Sequence, residues 1–144
     1  MVVDGEIQLT VQAVKPEAYI LFGNSLLAPG KVDEACLRIR FARDKIYLAA
    51  GNAGRLQNDR KTTQYSFLSH RIKDEVPYPQ TIKTDDVINI SVRYQAATSK
   101  AQISLNGGPP VELQTGKILG LTFIGLTVAN GGLMRLQTIK TNLK

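Results

Sequence analysis

Leu37-Arg38-Ile39-Arg40-Phe41 and Ile88-Asn89-Ile90-Ser91-Val92 place an apolar side chain at every second position with polar ones between. Successive side chains of an extended chain point to opposite faces, so a period of two marks a strand with one dry face and one wet face. The same alternation runs through Ile7-Gln8-Leu9-Thr10-Val11, Ile46-Tyr47-Leu48 and Ile124-Gly125-Leu126-Thr127-Val128. It returns at Ile103 and Leu105, and again at Met134, Leu136 and Ile139. No window carries an apolar stripe of useful length at helical spacing.

The turn residues agree. Asn106-Gly107, directly after Ile103-Ser104-Leu105, supplies the two positive-φ positions of a tight hairpin. Pro109 and Pro110 then delay the return strand, which is expected to start at Val111. Pro29-Gly30, Gly51-Asn52, Pro77 to Pro79 and Asn130-Gly131-Gly132 mark further turns. The stretch from Ala49 to Ser69 is irregular and polar, with Gly51, Gly54, Asn58 and Asp59, and reads as a long loop enclosing a short strand near Tyr65 to Leu68. Many short strands without helices between them predict an all-β sandwich or closed barrel. Two antiparallel sheets packed face to face give every alternating strand its dry side.

The 144 residues are about one domain's worth, so residues 1–144 are read as a single unit. A chain of this size removes roughly 70% of its unfolded surface from water and needs no covalent staple. The lone cysteine, Cys36, makes no internal disulfide and reads as a buried inert thiol. Asp4 and Glu6 stand where a signal peptide would carry basic and then apolar residues. No apolar run is long enough to span a membrane. The expected location is therefore the cytoplasm, or the exterior by a route that leaves no sequence mark.

The net charge is +6, and it is unevenly placed. Arg38 to Lys73 holds nine basic residues against Asp44 and Asp59, so this quarter carries +7 and the remainder −1. A local basic surface attracts anions. Arg38 and Arg40 share the polar side of one strand, about 7 Å apart. Such a pair can fork onto hydroxyls, a carboxylate or a sulfate. A solvent-facing strand decorated for solubility is the alternative.

Several chemistries are not expected. His70 is the only histidine, and its neighbour Ser69 points to the opposite side of an extended chain, so no nucleophilic triad is legible. One Cys and one His cannot build a structural zinc site. The acidic pairs Asp33-Glu34 and Asp85-Asp86 read as solvated strand ends rather than a calcium site. Gly51-Asn52-Ala53-Gly54-Arg55 lacks the Lys-Ser/Thr of a phosphate loop. Twelve acidic residues exist, but nothing local sets two across a cleft as a glycosidase requires. Single-stranded nucleic acid calls for exposed aromatic platforms, whereas Phe41 and Phe67 read as core. The expectation is a binding domain without metal, cofactor, nucleic-acid partner or catalytic site.

The order of motifs resembles the galectin family of β-galactoside-binding lectins. Gly5-Glu6-Ile7-Gln8-Leu9-Thr10-Val11, then Val14-Lys15-Pro16-Glu17-Ala18 and Ile20-Leu21-Phe22, resembles that family's opening pair of strands. Asp33 to Phe41 resembles the strand carrying its main sugar contacts, and Val76-Pro77-Tyr78-Pro79 with Asp85 to Val92 the entry to its next long strand. Ala101 to Gly107 is similar to its Val-x-Val-Asn-Gly hairpin, and Leu121 to Thr138 to its closing strands. The resemblance implies a two-sheet antiparallel jelly-roll sandwich of the galectin and concanavalin type. The family's sugar motif is His-x-Asn-Pro-Arg, then Asn, then Trp-Gly-x-Glu-x-Arg. Its His and Asn places hold Arg38 and Arg40, and its first Arg place holds Ala42. The Trp place falls near His70, and the Glu and Arg places near Lys73 and Glu75; the chain has no tryptophan.

The resemblance thus implies a carbohydrate-binding module with non-standard or lost β-galactoside specificity, for acidic or unusual glycans or a protein surface. Arg38, Arg40, His70, Lys73 and Glu75 are the expected lining, and salt-sensitive binding the expected behaviour. A structural domain without a sugar ligand, such as a homodimerisation unit or a fibre head of a virus or phage, is the alternative.

Overall fold

Where side chains alternate among the described residues, the chain forms strands. The computed structural model describes residues 5–15, 17–23, 32–43, 45–58, 63–67, 75–83, 86–95, 97–114, 123–128 and 132–143. These form strands β1 (Gly5–Lys15), β2 (Ala18–Gly23), β3 (Val32–Phe41), β4 (Ile46–Asn58), β5 (Thr63–Phe67), β6 (Val76–Pro77), β7 (Val87–Gln95), β8 (Lys100–Leu105), β9 (Val111–Gln114), β10 (Phe123–Val128) and β11 (Leu133–Leu143). Among the described residues there is no helix.

One sheet has five strands in the order β11-β1-β7-β8-β9. The other has six, in the order β10-β2-β3-β4-β5, with β6 also paired to β4. All pairings are antiparallel. The two sheets make a β-sandwich of the jelly-roll type. Ile7, Leu9 and Val11 of β1, Ile88, Ile90 and Val92 of β7, and Ile103 and Leu105 of β8 supply the five-stranded sheet's inner face. Ile20 and Phe22 of β2, Leu37, Ile39 and Phe41 of β3, and Ile46 and Leu48 of β4 supply the opposing one. All are buried in one cluster. Each such side chain contributes about 1.5–3 kcal/mol on leaving water, which fixes the register of every strand that carries one.

The hairpin at Asn106-Gly107 forms as its residues predict. Their φ values are 51° and 68°, and the Gly108 N–H closes the turn on the Leu105 carbonyl at 2.8 Å. The return strand begins at Val111.

The stretch from Ala49 to Ser69 differs from expectation. Its described residues are strand rather than loop: β4 runs on to Asn58, and β5, which covers most of the short strand expected near Tyr65 to Leu68, pairs back on Gly54 to Asn58. Gly51-Asn52 is no turn but lies within β4, paired with Cys36 and Ala35. Ala49, Ala50, Gly51, Ala53 and Gly54 erase the apolar alternation, while β3 and β5 on either side hold the backbone by hydrogen bonds. Gly54 sits at a register shift against Glu34, where a strand glycine marks a bulge. Pro77, expected to begin a turn, instead forms the short strand β6 with Val76 on the edge of β4, where proline's missing N–H is tolerated. The turns at Pro29-Gly30 and Asn130-Gly131 lie outside the described residues, as does the Cys36 side chain.

Tyr78 ties the two sheets together at one end. Its backbone N–H bonds to the Ile46 carbonyl at 2.8 Å, next to the β4–β6 pairing. Its buried hydroxyl accepts from the Leu105 N–H at 3.1 Å and donates to the Pro109 carbonyl at 2.9 Å, both in the β8–β9 hairpin. Gly108 makes this approach fit, since a Cβ there would lie 2.6 Å from the same hydroxyl. Replacing Tyr78 by Phe takes the hydroxyl partner from the buried Leu105 N–H, so Y78F is expected to lower stability by about 1–3 kcal/mol in urea unfolding. A loss below a few tenths of a kcal/mol would show that the hydroxyl does not tie the sheets.

Candidate functional site

Because Leu37, Ile39 and Phe41 face the core, Arg38 and Arg40 point to the outer face of the six-stranded sheet. Register then sets their neighbours. Arg40 lies between Tyr19 of β2 and Tyr47 of β4, and Arg38 stands opposite Ala49 of β4. The small Ala49 side chain leaves room for the Arg38 stem, which lies down on the sheet until Arg38 is only 5% exposed.

Glu75 meets both arginines. It stands immediately before β6, and the pairing of Val76 with Leu48 and of Pro77 with Tyr47 carries it to the outer end of β3. Its Oε1 accepts from Arg38 Nη2 and, at 2.9 Å, from Arg40 Nε. Its Oε2 accepts from Arg40 Nη2 at 2.8 Å, completing a bidentate fork. Arg40 Nη1 donates to Glu17 Oε1 at 2.9 Å, and the Tyr19 hydroxyl donates to Glu17 Oε2. The Arg40 guanidinium lies 4.4 Å from the Tyr47 ring centroid, and the Arg38 guanidinium 5.9 Å from that of Tyr19.

Two guanidiniums and two carboxylates therefore balance. Within the basic segment between residues 38 and 73, the counterions of Arg38 and Arg40 come from outside it: Glu17 precedes it and Glu75 follows it. Nor does Arg38 face open solvent, the alternative its alternation allowed; its ion pair is what makes burial tolerable. Arg43 and Lys45, further along, are exposed.

Burial works against the Glu75 carboxylate, but the hydrogen bonds and charge of Arg40, with those of Arg38, outweigh it and hold its pKa below the ordinary 4.5. The Tyr19 phenol is pushed up, first by burial and then by its bond to the Glu17 carboxylate. It remains a neutral donor at physiological pH.

Of the expected lining, Arg38, Arg40 and Glu75 are brought together, while His70 and Lys73 lie outside the described residues. Glu17, Tyr19 and Tyr47 were not singled out. Alternation places Tyr19 and Tyr47 on the outward side of their strands, but only the register between strands puts them beside Arg40. Chemically the cluster is a rigid array of charged hydrogen-bonding groups. Glu17 and Glu75 keep acceptor lone pairs beyond those the arginines and Tyr19 use. Among the described residues no group of three His, Cys, Asp or Glu side chains could hold a metal ion.

A depressed folded-state pKa stabilises the fold fully above the unfolded value of 4.5, and that stability is lost as pH falls through the folded value. E75Q leaves Arg38 and Arg40 without this partner and is expected to cost about 3 kcal/mol near neutral pH. The gap between wild type and variant should narrow as pH drops below 4.5, because the wild-type carboxylate then protonates too. Urea unfolding across that range checks it, and a gap independent of pH would remove Glu75 from the pairing.

No protein-family model matches the chain, and no curated protein is similar to it in sequence. Solved structures are similar in shape. Sheep galectin-11, in complex with glycerol, superposes with a TM-score of 0.57 over 99% of this chain and 92% of its own, at 7% identity. Chicken galectin 2 gives 0.56 over 96% and 89%, at 11% identity. Ligand-free congerin I gives 0.51 over 97% and 90%, at 14% identity. At such identities what is shared is the fold, and the sandwich described above is a galectin-like fold with an arginine–glutamate–tyrosine network on its six-stranded sheet.

Proposed function

We propose that this chain is a galectin-like carbohydrate-binding domain of residues 1–144, with no enzymatic activity, that takes its ligand on the outer face of β2, β3 and β4. The observation that carries this reading is the network around Arg40. A polyhydroxylated ligand needs donors and acceptors held in place before it arrives, because ordering them on binding weakens affinity. Arg40, forked by Glu75 and flanked by Tyr47, is so held. Sugar hydroxyls would donate to the remaining lone pairs of Glu17 and Glu75, bonds strengthened by the charge of the acceptor. The galactose-stacking tryptophan and the histidine and asparagine of the galectin motif are absent from the sequence, so the specificity proposed is not the ordinary β-galactoside one. His70 and Lys73 remain proposed members of the lining.

Because the two carboxylates balance the two guanidiniums, the network of Arg38, Arg40, Glu17 and Glu75 by itself favours neutral glycans and predicts weak salt dependence, so that a preference for acidic ones would come from Lys73. A glycan array with neutral, sialylated and sulfated sugars, probed at low and moderate salt, tests it. A neutral oligosaccharide should bind, and E17Q and R40K should each weaken it by about tenfold, the equivalent of one charge-assisted hydrogen bond. R40K keeps the charge and loses the fork, so it isolates geometry from charge. A blank array with folded protein, or affinity unchanged in both variants, would overturn the reading.

One observation favours the second reading, an assembly domain without a sugar. Leu133, Leu136 and Ile139 on the sheet-edge strand β11 are 41%, 42% and 45% exposed. If a second copy covers them, sedimentation should give a dimer that L136K converts to a monomer; a monomer at all concentrations removes this reading.

A further inference from the structure

The outer face of the five-stranded sheet holds a depression of about 390 Å³. It lies on the sheet opposite the arginine–glutamate network and shares no residue with it. Register explains its shape. Two cross-strand rungs run side by side: Lys140, Gln8, Ser91 and Ser104, and Thr138, Thr10 and Asn89. The next rungs outward carry Glu6 with Arg93 and Gln102 on one side and Gln12 with Arg135 on the other. Glu6 and Arg93 are an ion pair at 3.6 Å. The short side chains of Thr10, Asn89, Ser91, Ser104 and Thr138, set among these longer ones, leave a depression across the strands, about 14 Å over three strand spacings.

Leu9 and Ile90 contribute apolar atoms to the lining, and hydroxyl and amide side chains supply its polar groups. Thr10 donates to Asn89 Oδ1 at 3.1 Å, and Ser104 donates to the Gly108 carbonyl at 2.7 Å, which fixes both and leaves the Asn89 amide N–H groups and the Ser104 lone pairs for a ligand. Lys140, paired in register with Gln8, is the cation of the lining, and among the described residues no carboxylate pairs with it. The lining has no aromatic side chain to anchor a protein partner and a single cation, too few for a phosphate backbone. Hydroxyl and amide groups across the strands with one ammonium at the β11 end match a polyhydroxylated chain carrying a carboxylate.

We propose that this groove is a second ligand site and takes an acidic oligosaccharide laid across the strands, its carboxylate on Lys140. The test uses the whole chain, labelled with nitrogen-15, titrated in parallel with tetragalacturonate and with neutral cellotetraose. Tetragalacturonate should shift the backbone amides of Thr10, Asn89, Ser91 and Thr138, and bind more tightly than cellotetraose. K140A should lower the affinity for tetragalacturonate by about tenfold and abolish the preference over cellotetraose. S91Y, an outward substitution that suits a strand, should fill the groove and remove the shifts. Three outcomes would each overturn the proposal: no shifts at millimolar tetragalacturonate, shifts confined to β2, β3 and β4, or groove shifts that vanish in E75Q. The last two would place the acidic ligand on the arginine–glutamate face instead. Unchanged affinity in K140A would overturn it as well.

Discussion

A guanidinium that has lost nearly all its water must find an anion. Arg38 sits under that constraint, and much of the local architecture answers it. A buried ion left unpaired costs several kcal/mol, more than any surface contact on this sheet returns. The anion is Glu75, far along the chain, and it arrives because β6 pairs with the near end of β4. Tyr78, three residues on, anchors that segment to Ile46 and to the β8–β9 hairpin. Arg40 then shares Glu75 and recruits Glu17 from the start of β2. One buried cation thus joins β2, β3, β4 and β6, and its requirement passes through Tyr78 to the opposite sheet.

The two outer faces solve exposure differently. On the six-stranded sheet, outward positions carry large charged and aromatic groups that satisfy one another. On the five-stranded sheet they carry short hydroxyls and amides between rungs of longer side chains. The inner faces show no such contrast, being branched aliphatic residues and a few aromatics throughout. Alternation separates the two demands cleanly. Every second residue is committed to the core, and the residues between are free to build whatever surface chemistry the protein uses.

That separation also decides what the sequence could reveal. Strands β1, β3 and β7 were legible because their alternation is strict, and the turn at Asn106-Gly107 because its two residues tolerate a positive φ that others resist. Strand β4 was not legible over its second half. Ala and Gly carry little apolar signal, and backbone ladders, which hold that segment in its sheet, leave no trace in side-chain identity. Arg38 and Arg40 stood out because two arginines on one strand face are conspicuous. Their partners Glu17 and Glu75 are distant in sequence, and a charge count over a local window assigns them to other regions. Glu75 entered the expected lining only through the resemblance to galectins, while Tyr19 and Tyr47 required the register between strands, which alternation alone does not give.

Identities of 7–14% with the galectin structures are then a natural consequence of how this fold is held. The core asks for apolar volume at alternate positions, and many combinations of Ile, Val, Leu and Phe meet that demand. The outer face is under no such demand from packing. A binding motif there can be replaced residue by residue without disturbing the strand beneath it. Arg38 and Arg40 illustrate the point, because the inward residues that alternate with them, Leu37, Ile39 and Phe41, are fully buried whatever stands on the outer face. Outer-face choices still carry a consequence: neutral side chains need no counterion, whereas two arginines do, and Glu17 and Glu75 supply it. The network is one unit, and what it presents at the surface is set by its remaining lone pairs and edges rather than by the charge of either arginine alone.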